Sequence, residues 1–172
     1  MEYELLIREA EVEDAAALVS FLNRVSVETD FTSLDRDGIL MTDTEMELFL
    51  DKQAHSENQI TLLALLNDEI AGLVNITADQ RKRVRHIGDL FIVIGKRYWN
   101  NGLGSFLLEE AIEWAQESGI LRRLQLTVQT RNQAAVHLYQ KHGFAIEGRQ
   151  ERGAYIEEGK FIDVYLMGKL ID

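Results

Sequence analysis

The hydrophobic positions along the chain follow two different periods, which predict strands and helices in alternation. Short, nearly continuous apolar runs indicate strands, and these lie at residues 4–9, 60–67, 70–78, 86–95 and 121–129, with two more between residues 144 and 171. Apolar residues at helical spacing indicate helices, and these cover residues 11–27, 44–54, 102–118 and 133–142. Residues 28–43 have no clear period and are predicted to be a loop or a broken helix.

The order of these elements predicts an α/β fold. One strand, two helices, three strands, a helix, a strand, a helix and two strands amount to about seven strands and about four helices, packed as a central sheet with helices on its faces. Residues 86–95 are apolar at nearly every position, as in a strand covered on both faces. We see neither an internal repeat nor a domain boundary, and therefore expect a single domain over residues 1–172.

Polar residues and glycines mark several of the helix ends. Asp43 or Thr44 is the predicted N-cap of the second helix, and Asn132 that of the fourth. Gly119 is placed to end the third helix, because glycine adopts the left-handed conformation that helix C-termini require.

The charge balance argues against nucleic acid as a partner. The formal net charge is -11, and the sequence pI is near 4.8. Binding to a phosphate backbone needs a basic face that dominates the field of the protein. The one local basic cluster, Arg81–His86, is interpreted as a solvated hairpin.

The composition excludes several other kinds of site. The chain has no cysteine, which rules out disulfides, thiolate metal sites and a cysteine nucleophile, and we expect a cytoplasmic protein. The first residues, MEYELLIREA, lack the order of a signal peptide, and no apolar run approaches the roughly 20 residues that span a bilayer. The four histidines form no ligand cluster, so no metal is expected.

Two glycines and two asparagines stand where the central strand joins the third helix. The joint reads RYWNNGLGS, residues 97–105, between the apolar run at 90–95 and the helix. Such a joint is either a plain connector or a cradle for phosphate, since a helix N-terminus offers unpaired amides and glycine lets the backbone approach a ligand closely.

Together with a second stretch, NQAAVHLYQKHGF at residues 132–144, this joint resembles the GNAT superfamily of acyl-CoA-dependent N-acetyltransferases. The first stretch is similar to the family's [Arg/Gln]-x-x-Gly-x-[Gly/Ala] motif, except that Trp99 replaces the basic residue. The second is similar to its Asn-x-x-Ala-x-x-Leu-Tyr-x-x-x-Gly-Phe motif. The end of the chain resembles the branches that acetylate ribosomal-protein alanine and small amines. Both motifs, in this order, make the likeness specific.

The resemblance implies a mixed, splayed sheet and acetyl-CoA as co-substrate. In the family, backbone amides of the glycine joint hold the pyrophosphate, and the pantetheine arm pairs with the strand where the sheet opens. The positions that match these contacts are Ile92, Val93, Ile94, Asn100, Asn101, Gly102, Leu103, Gly104, Ser105, Asn132, Ala135 and Tyr139.

The resemblance also suggests catalytic roles. Tyr139 would donate a proton to the departing thiolate, and an amide near Val93 or Ile94 would stabilise the oxyanion. The base that accepts the amine proton stays open: Asp89 is the first candidate and Glu28 the next, as base or as part of the acceptor site, together with Asp30, and a chain of water molecules would also serve.

The expected activity is therefore direct transfer of the acetyl group to a primary amine through a tetrahedral intermediate. The acceptor is a small-molecule amine or a peptide N-terminus, and the acidic balance mildly favours a cationic one. The family likeness further implies a homodimer joined at the terminal strands. The competing hypothesis is a catalytically inactive regulatory module that binds CoA without turnover.

Overall fold

The computed structural model describes residues 4–157 and 159–172 and has the predicted α/β fold, with seven strands in one sheet. The strands are β1 (Leu5–Glu9), β2 (Ile60–Leu66), β3 (Glu69–Ala78), β4 (Ile87–Ile94), β5 (Arg123–Gln129), β6 (Ala145–Tyr155) and β7 (Phe161–Leu170). The α-helices are α1 (Ala15–Val25), α2 (Asp43–Ala54), α3 (Leu103–Glu117) and α4 (Gln133–Lys141). Short 3₁₀ turns cover Val12–Asp14 and Lys96–Tyr98.

The sheet is splayed at its centre, as the family likeness implies. The strand order is β1-β2-β3-β4-β5-β7-β6, and only β4 and β5 are parallel neighbours. Their pairing covers only Ile87–Asp89 against Arg123–Gln125. Because β4 continues to Ile94 and β5 to Gln129 without further pairs, a gap opens between the two strands beyond Asp89.

Different helices cover the two faces of the sheet. One face packs against α3 and α4 in a core that includes Leu107, Leu124 and Met167. On the other face, α1 and α2 cover β2, β3 and β4, with Phe21 and Leu63 fully buried between them. The face that α1 and α2 cover continues across β5 and β7, where none of the described helices covers it. Because strand residues alternate between faces, side chains such as Thr127 and Leu166 are exposed there. We call this uncovered part the open face.

Local hydrogen bonds correct one predicted helix cap and confirm another. The N-cap of α2 is Thr42, one or two residues before the predicted Asp43 or Thr44, because its side chain accepts from the Glu45 amide while the Glu45 carboxylate accepts from the Thr42 amide. The predicted cap of α4 is confirmed, since Asn132 Oδ1 accepts from the Ala135 amide at 3.3 Å.

Gly88 lets β4 pack closely at the start of the gap. A Cβ at this position would lie 2.8 Å from Ile76 Cγ2 and 2.9 Å from Leu124 Cδ2, both in the core. We expect Gly88→Ala to lower the free energy of unfolding by about 1–3 kcal/mol, since a packed core resists added volume. Urea denaturation measures the change. Gly148→Ala is the matched control, because its Cβ would meet only Leu166 Cδ1 at 3.7 Å; equal losses in both variants would contradict the explanation.

The basic cluster lies at the surface, as the sequence interpretation expects. The basic cluster Arg81–His86 forms the turn between β3 and β4, where Arg81 is exposed and pairs with Asp79. Among residues 4–157 and 159–172, none of the helices has the length and apolarity that crossing a membrane requires. The same residues contain no group of three or more His, Cys, Asp or Glu side chains placed to hold a metal ion.

Candidate active site

The glycine joint forms a tight loop after β4. The chain passes through the 3₁₀ turn Lys96–Tyr98 and then adopts positive φ at Asn100 (64°) and Gly102 (78°). Asparagine tolerates the left-handed region better than most residues, and glycine enters it freely. Asn100 and Gly102 of the motif therefore stand at the two positions where this turn requires a positive φ. Gly102 is the N-cap of α3 and supplies no side chain to cap the helix.

Six consecutive backbone amides in this loop have no hydrogen-bond acceptor within the described residues. Within the described chain, the N–H groups of residues 100–105 donate to no backbone or side-chain acceptor. The first turn of a helix always leaves such donors, and here no side chain satisfies them. With the positive end of the α3 dipole behind them, these amides have the chemistry that suits an anion.

Trp99 and Asn101 hold the loop in shape through their side chains. The Trp99 indole N–H donates to Ile94 O at 2.8 Å, which ties the loop to the end of β4. Asn101 Nδ2 lies 3.2 Å from Tyr98 O and 3.1 Å from Trp99 O. Where the family motif has a basic side chain, this chain therefore has an aromatic one that supports the loop from inside.

The backbone of β4 offers hydrogen-bonding groups to the gap at alternate residues. His86 O accepts from the backbone N–H groups of Arg122 and Arg123, at the start of β5. Gly95 N–H donates to Ala71 O on the opposite side, toward β3. Since an extended strand alternates its backbone groups between two sides, Ile92 and Ile94 face the gap, whereas Val93 faces β3. Ile94 O already accepts from the Trp99 indole N–H, so the N–H is the backbone group of Ile94 that remains for a ligand in the gap. Of Val93 and Ile94, only Ile94 has its backbone N–H directed into the gap.

Tyr139 lies on the helix that flanks the same end of the gap. Its side chain is 8% exposed and belongs to the core cluster with Leu126 and Val128 of β5, against which Ile92 of β4 packs. Burial raises the pKa of Tyr139 well above its usual value. Within the described residues its hydroxyl has no hydrogen-bond partner, while its ring packs edge-to-face on Phe144.

The start of α3 and the end of α4 lie side by side. His142 Nε2 and Ser105 Oγ are 3.2 Å apart, and a Cβ on Gly104 would approach Leu138 Cδ2 to 3.2 Å. The structure thus brings the loop amides and the Tyr139 helix together at the gap. Asn132 and Ala135 lie at the other end of α4, where the Asn132 side-chain oxygen is already engaged as the helix cap.

The first two candidate bases, Asp89 and Glu28, lie at opposite ends of the gap. Asp89 is exposed on β4 where the pairing with β5 ends, and its carboxylate accepts from Gln125 Nε2 at 2.8 Å. Glu28 lies after α1, and its carboxylate accepts the backbone N–H of Lys96 at 3.1 Å, just beyond β4.

The segment 28–30 connects the ends of β4 and β5 across the gap. Glu28 bonds to Lys96 after β4, and Asp30 O accepts from the buried side chain of Gln129 at the end of β5, at 2.6 Å. Arg131, two residues after the end of β5, joins this contact. Sequence reasoning missed Gln129 and Arg131, because neither belongs to a motif and their partner lies about a hundred residues away along the chain, a separation that local pattern does not report.

The fold and the loop define an acyltransferase of the GNAT type, and comparison with known proteins agrees. Residues 26–144 match the model of the Acetyltransferase (GNAT) family, and the chain belongs to this family. It is 33% identical over 109 residues to the L-amino acid N-acetyltransferase AaaT of Escherichia coli K12, a match that covers 63% of this chain and 67% of that enzyme.

Solved structures show the same fold. The crystal structure of a GNAT-family acetyltransferase from Streptococcus pneumoniae is 88% identical, with a TM-score of 0.96 over 98% of this chain and 100% of that one. The protein yncA of Salmonella typhimurium, solved with its cofactor acetyl-CoA, has a TM-score of 0.85 at 18% identity, covering 98% of this chain and 95% of its own. At that identity the likeness concerns the fold alone.

Proposed function

We propose that the protein is an acetyl-CoA-dependent N-acetyltransferase that moves the acetyl group to a primary amine by direct attack. The observation that carries this proposal is the continuity between the unpaired amides of residues 100–105 and the gap between β4 and β5. The unpaired amides suit a pyrophosphate, and the gap suits an amide-rich arm that ends in a thioester. A loop that only connects a strand to a helix would need neither the unpaired amides nor the gap.

Acetyl-CoA would bind along this continuous surface. The amides of residues 100–105 would hold the pyrophosphate, and the pantetheine arm would pair with Ile92 and Ile94 like an additional strand. Asn132 and Ala135 would line the arm from α4, with Asn132 contributing its amide nitrogen because its oxygen caps the helix. The family membership supports this assignment, and the Salmonella structure is an example of this fold with acetyl-CoA bound.

The acceptor would approach from the open face, since α3 and α4 cover the other one. The neutral amine attacks the thioester carbonyl, and a C–N bond forms while the oxygen becomes negatively charged and accepts from the Ile94 N–H. The C–S bond then breaks, and the Tyr139 hydroxyl donates its proton to the sulfur. The amine loses a proton to a base, which leaves an amide and free CoA.

Asp89 would accept that proton only through water. Ile94, the proposed oxyanion donor, lies five residues further along β4, about 16 Å at the rise of an extended strand, which is too far for direct proton transfer from the amine to Asp89. Water on the open face connects the two positions in this proposal. Glu28, in contrast, would act as a tether that holds the segment 28–30 to the loop after β4.

Glu28→Gln separates the tether from the base. The amide oxygen of glutamine still accepts from the Lys96 N–H but has no useful basicity, so we expect kcat to fall by no more than about threefold. Glu28→Ala removes the contact and should raise the KM for the acceptor. Steady-state kinetics of both variants measure this, and a loss of 100-fold or more in the glutamine variant, the size expected of a lost base, would assign the proton to Glu28 instead.

The proposed function is tested by thiol release from acetyl-CoA in the presence of amino acids, polyamines, aminoglycosides and peptides with free N-termini. Thiol release that depends on one acceptor class, with the acetylated amine detected by mass spectrometry, supports the enzyme. Acetyl-CoA binding without release for any acceptor favours a regulatory module, and absence of binding removes the proposed site altogether.

A further inference from the structure

We propose that the acceptor is an amino acid, and that Arg131 binds its carboxylate at the edge of the gap. This inference rests on the proposed function and adds the chemical class of the substrate. It depends on how Arg131 is held, on where its guanidinium lies, and on the charges around it.

Arg131 is held in place by groups that carry no charge. Its Nε donates to Gln129 Oε1 at 2.8 Å, and its Nη2 lies 3.4 Å from Asp30 O. Its guanidinium carbon lies 5.1 Å from the ring centroid of Phe31. These contacts fix a flexible side chain, which lowers the entropy lost when a ligand binds.

The position of the guanidinium suits an acceptor in the gap. The Arg131 side chain turns back along β5 to Gln129, whose own side chain is 6% exposed and also bonds to Asp30 O. The guanidinium therefore lies beside the last residue of β5, on the face from which the acceptor approaches. An α-amino acid has its amine and carboxylate on one carbon, so a carboxylate bound here would keep the amine near the end of the gap.

The charges around the gap favour an anionic group at Arg131. Among the described residues, Arg131 is in no ion pair. The nearby carboxylates are already engaged: Asp30 pairs with Arg36 at 3.2 Å, and Glu28 accepts from the Lys96 amide.

In the described part of the chain, the Arg131 guanidinium thus has no carboxylate within ion-pair distance, although the whole chain has a net charge of -11. The net charge governs long-range attraction of ligands, whereas contacts within the site decide which of them binds. A polyamine would place a second ammonium near Arg131 and meet repulsion there. A carboxylate would make two parallel hydrogen bonds with a guanidinium, the geometry for which arginine is suited.

The test compares amino acids with their own amides. We would measure kcat/KM by thiol release for the twenty L-amino acids, for the amides of those that react, and for spermidine. Because hydrogen bonds between charged groups are strong, we expect the preferred amino acid to exceed its amide by about 10- to 100-fold in kcat/KM. In Arg131→Gln this ratio should fall to near unity. Any loosening of the segment 28–30 affects both substrates and cancels in the ratio.

Arg83→Gln is the matched control, because Arg83 is an exposed arginine in the turn before β4, and it should leave the ratio unchanged. The inference is overturned if no amino acid reacts faster than its amide, if spermidine is preferred, or if Arg131→Gln keeps the wild-type ratio. Thiol release with spermidine alone would refute this inference and leave the proposed function intact, whereas absence of acetyl-CoA binding in calorimetry would refute both.

Discussion

Replacement of Tyr139 by phenylalanine is expected to lower kcat about 100- to 10,000-fold, the range that general acid catalysis contributes. The change removes one hydroxyl from a buried ring that packs against Phe144, so the fold and the helix beside the loop should stay intact. Acetyl-CoA affinity, measured by calorimetry, should therefore change by no more than about twofold.

The pH dependence gives a second measurement on Tyr139. Burial raises the pKa of its phenol above the ordinary value of 10, so the group keeps its proton and its ability to donate throughout the neutral and mildly alkaline range. Ionisation of Tyr139 should cause no loss of wild-type kcat between pH 7 and about pH 10. Tyr155→Phe, in an exposed tyrosine of the β6–β7 hairpin, is the control; equal kcat for Tyr139→Phe and wild type would remove the proposed acid.

Gly102→Ala is expected to raise the dissociation constant for acetyl-CoA about 10- to 100-fold. Gly102 has a φ of 78°, and an alanine there costs about 1–2 kcal/mol, because its Cβ crowds the following carbonyl. The loop relieves that strain by leaving the left-handed conformation, which would turn the amides of residues 100–105 away from a common ligand. Losing one or two hydrogen bonds to a charged pyrophosphate accounts for the expected factor.

Gly119→Ala provides the matched control for this variant. Gly119 has a φ of 68°, and nothing lies within 4 Å of the Cβ that alanine would add. It follows the other end of α3, so its substitution imposes a similar backbone strain far from the loop. Both variants should lose comparable stability in thermal denaturation, and only Gly102→Ala should lose affinity. A similar loss of affinity in both would indicate that the effect comes from general destabilisation.

Much of the fold could be predicted, because its elements carry their information locally. The apolar run at 86–95 predicted β4, and the glycines around α3 predicted that helix. The predicted ends of both elements agree with the structure to within one residue. The N-cap of α2 was misplaced by one or two residues, since Thr42, Asp43 and Thr44 are all good caps and only the reciprocal contact with Glu45 distinguishes them. The insertion of β7 between β5 and β6 depends on long-range pairing, which no local pattern reports.

The site was predictable where a motif carries it and not elsewhere. The loop from Asn100 to Ser105 and Tyr139 came from the two family motifs, and their roles stay predictions until tested. The contacts of Glu28 with Lys96 and of Gln129 with Asp30 join residues 68 and 99 positions apart, so only the fold reveals them. The expected dimer and the cytoplasmic location also stay predictions of the sequence.

The most direct test of the central claim is a single assay of thiol release from acetyl-CoA by the wild-type chain and Tyr139→Phe, side by side, with a panel of amines. The account predicts release that depends on one class of acceptor, accompanied by its acetylated product, and the loss of that release in the variant although acetyl-CoA still binds. Binding of acetyl-CoA by the wild type, without acceptor-dependent release from any amine, would contradict the account and favour a module that senses CoA.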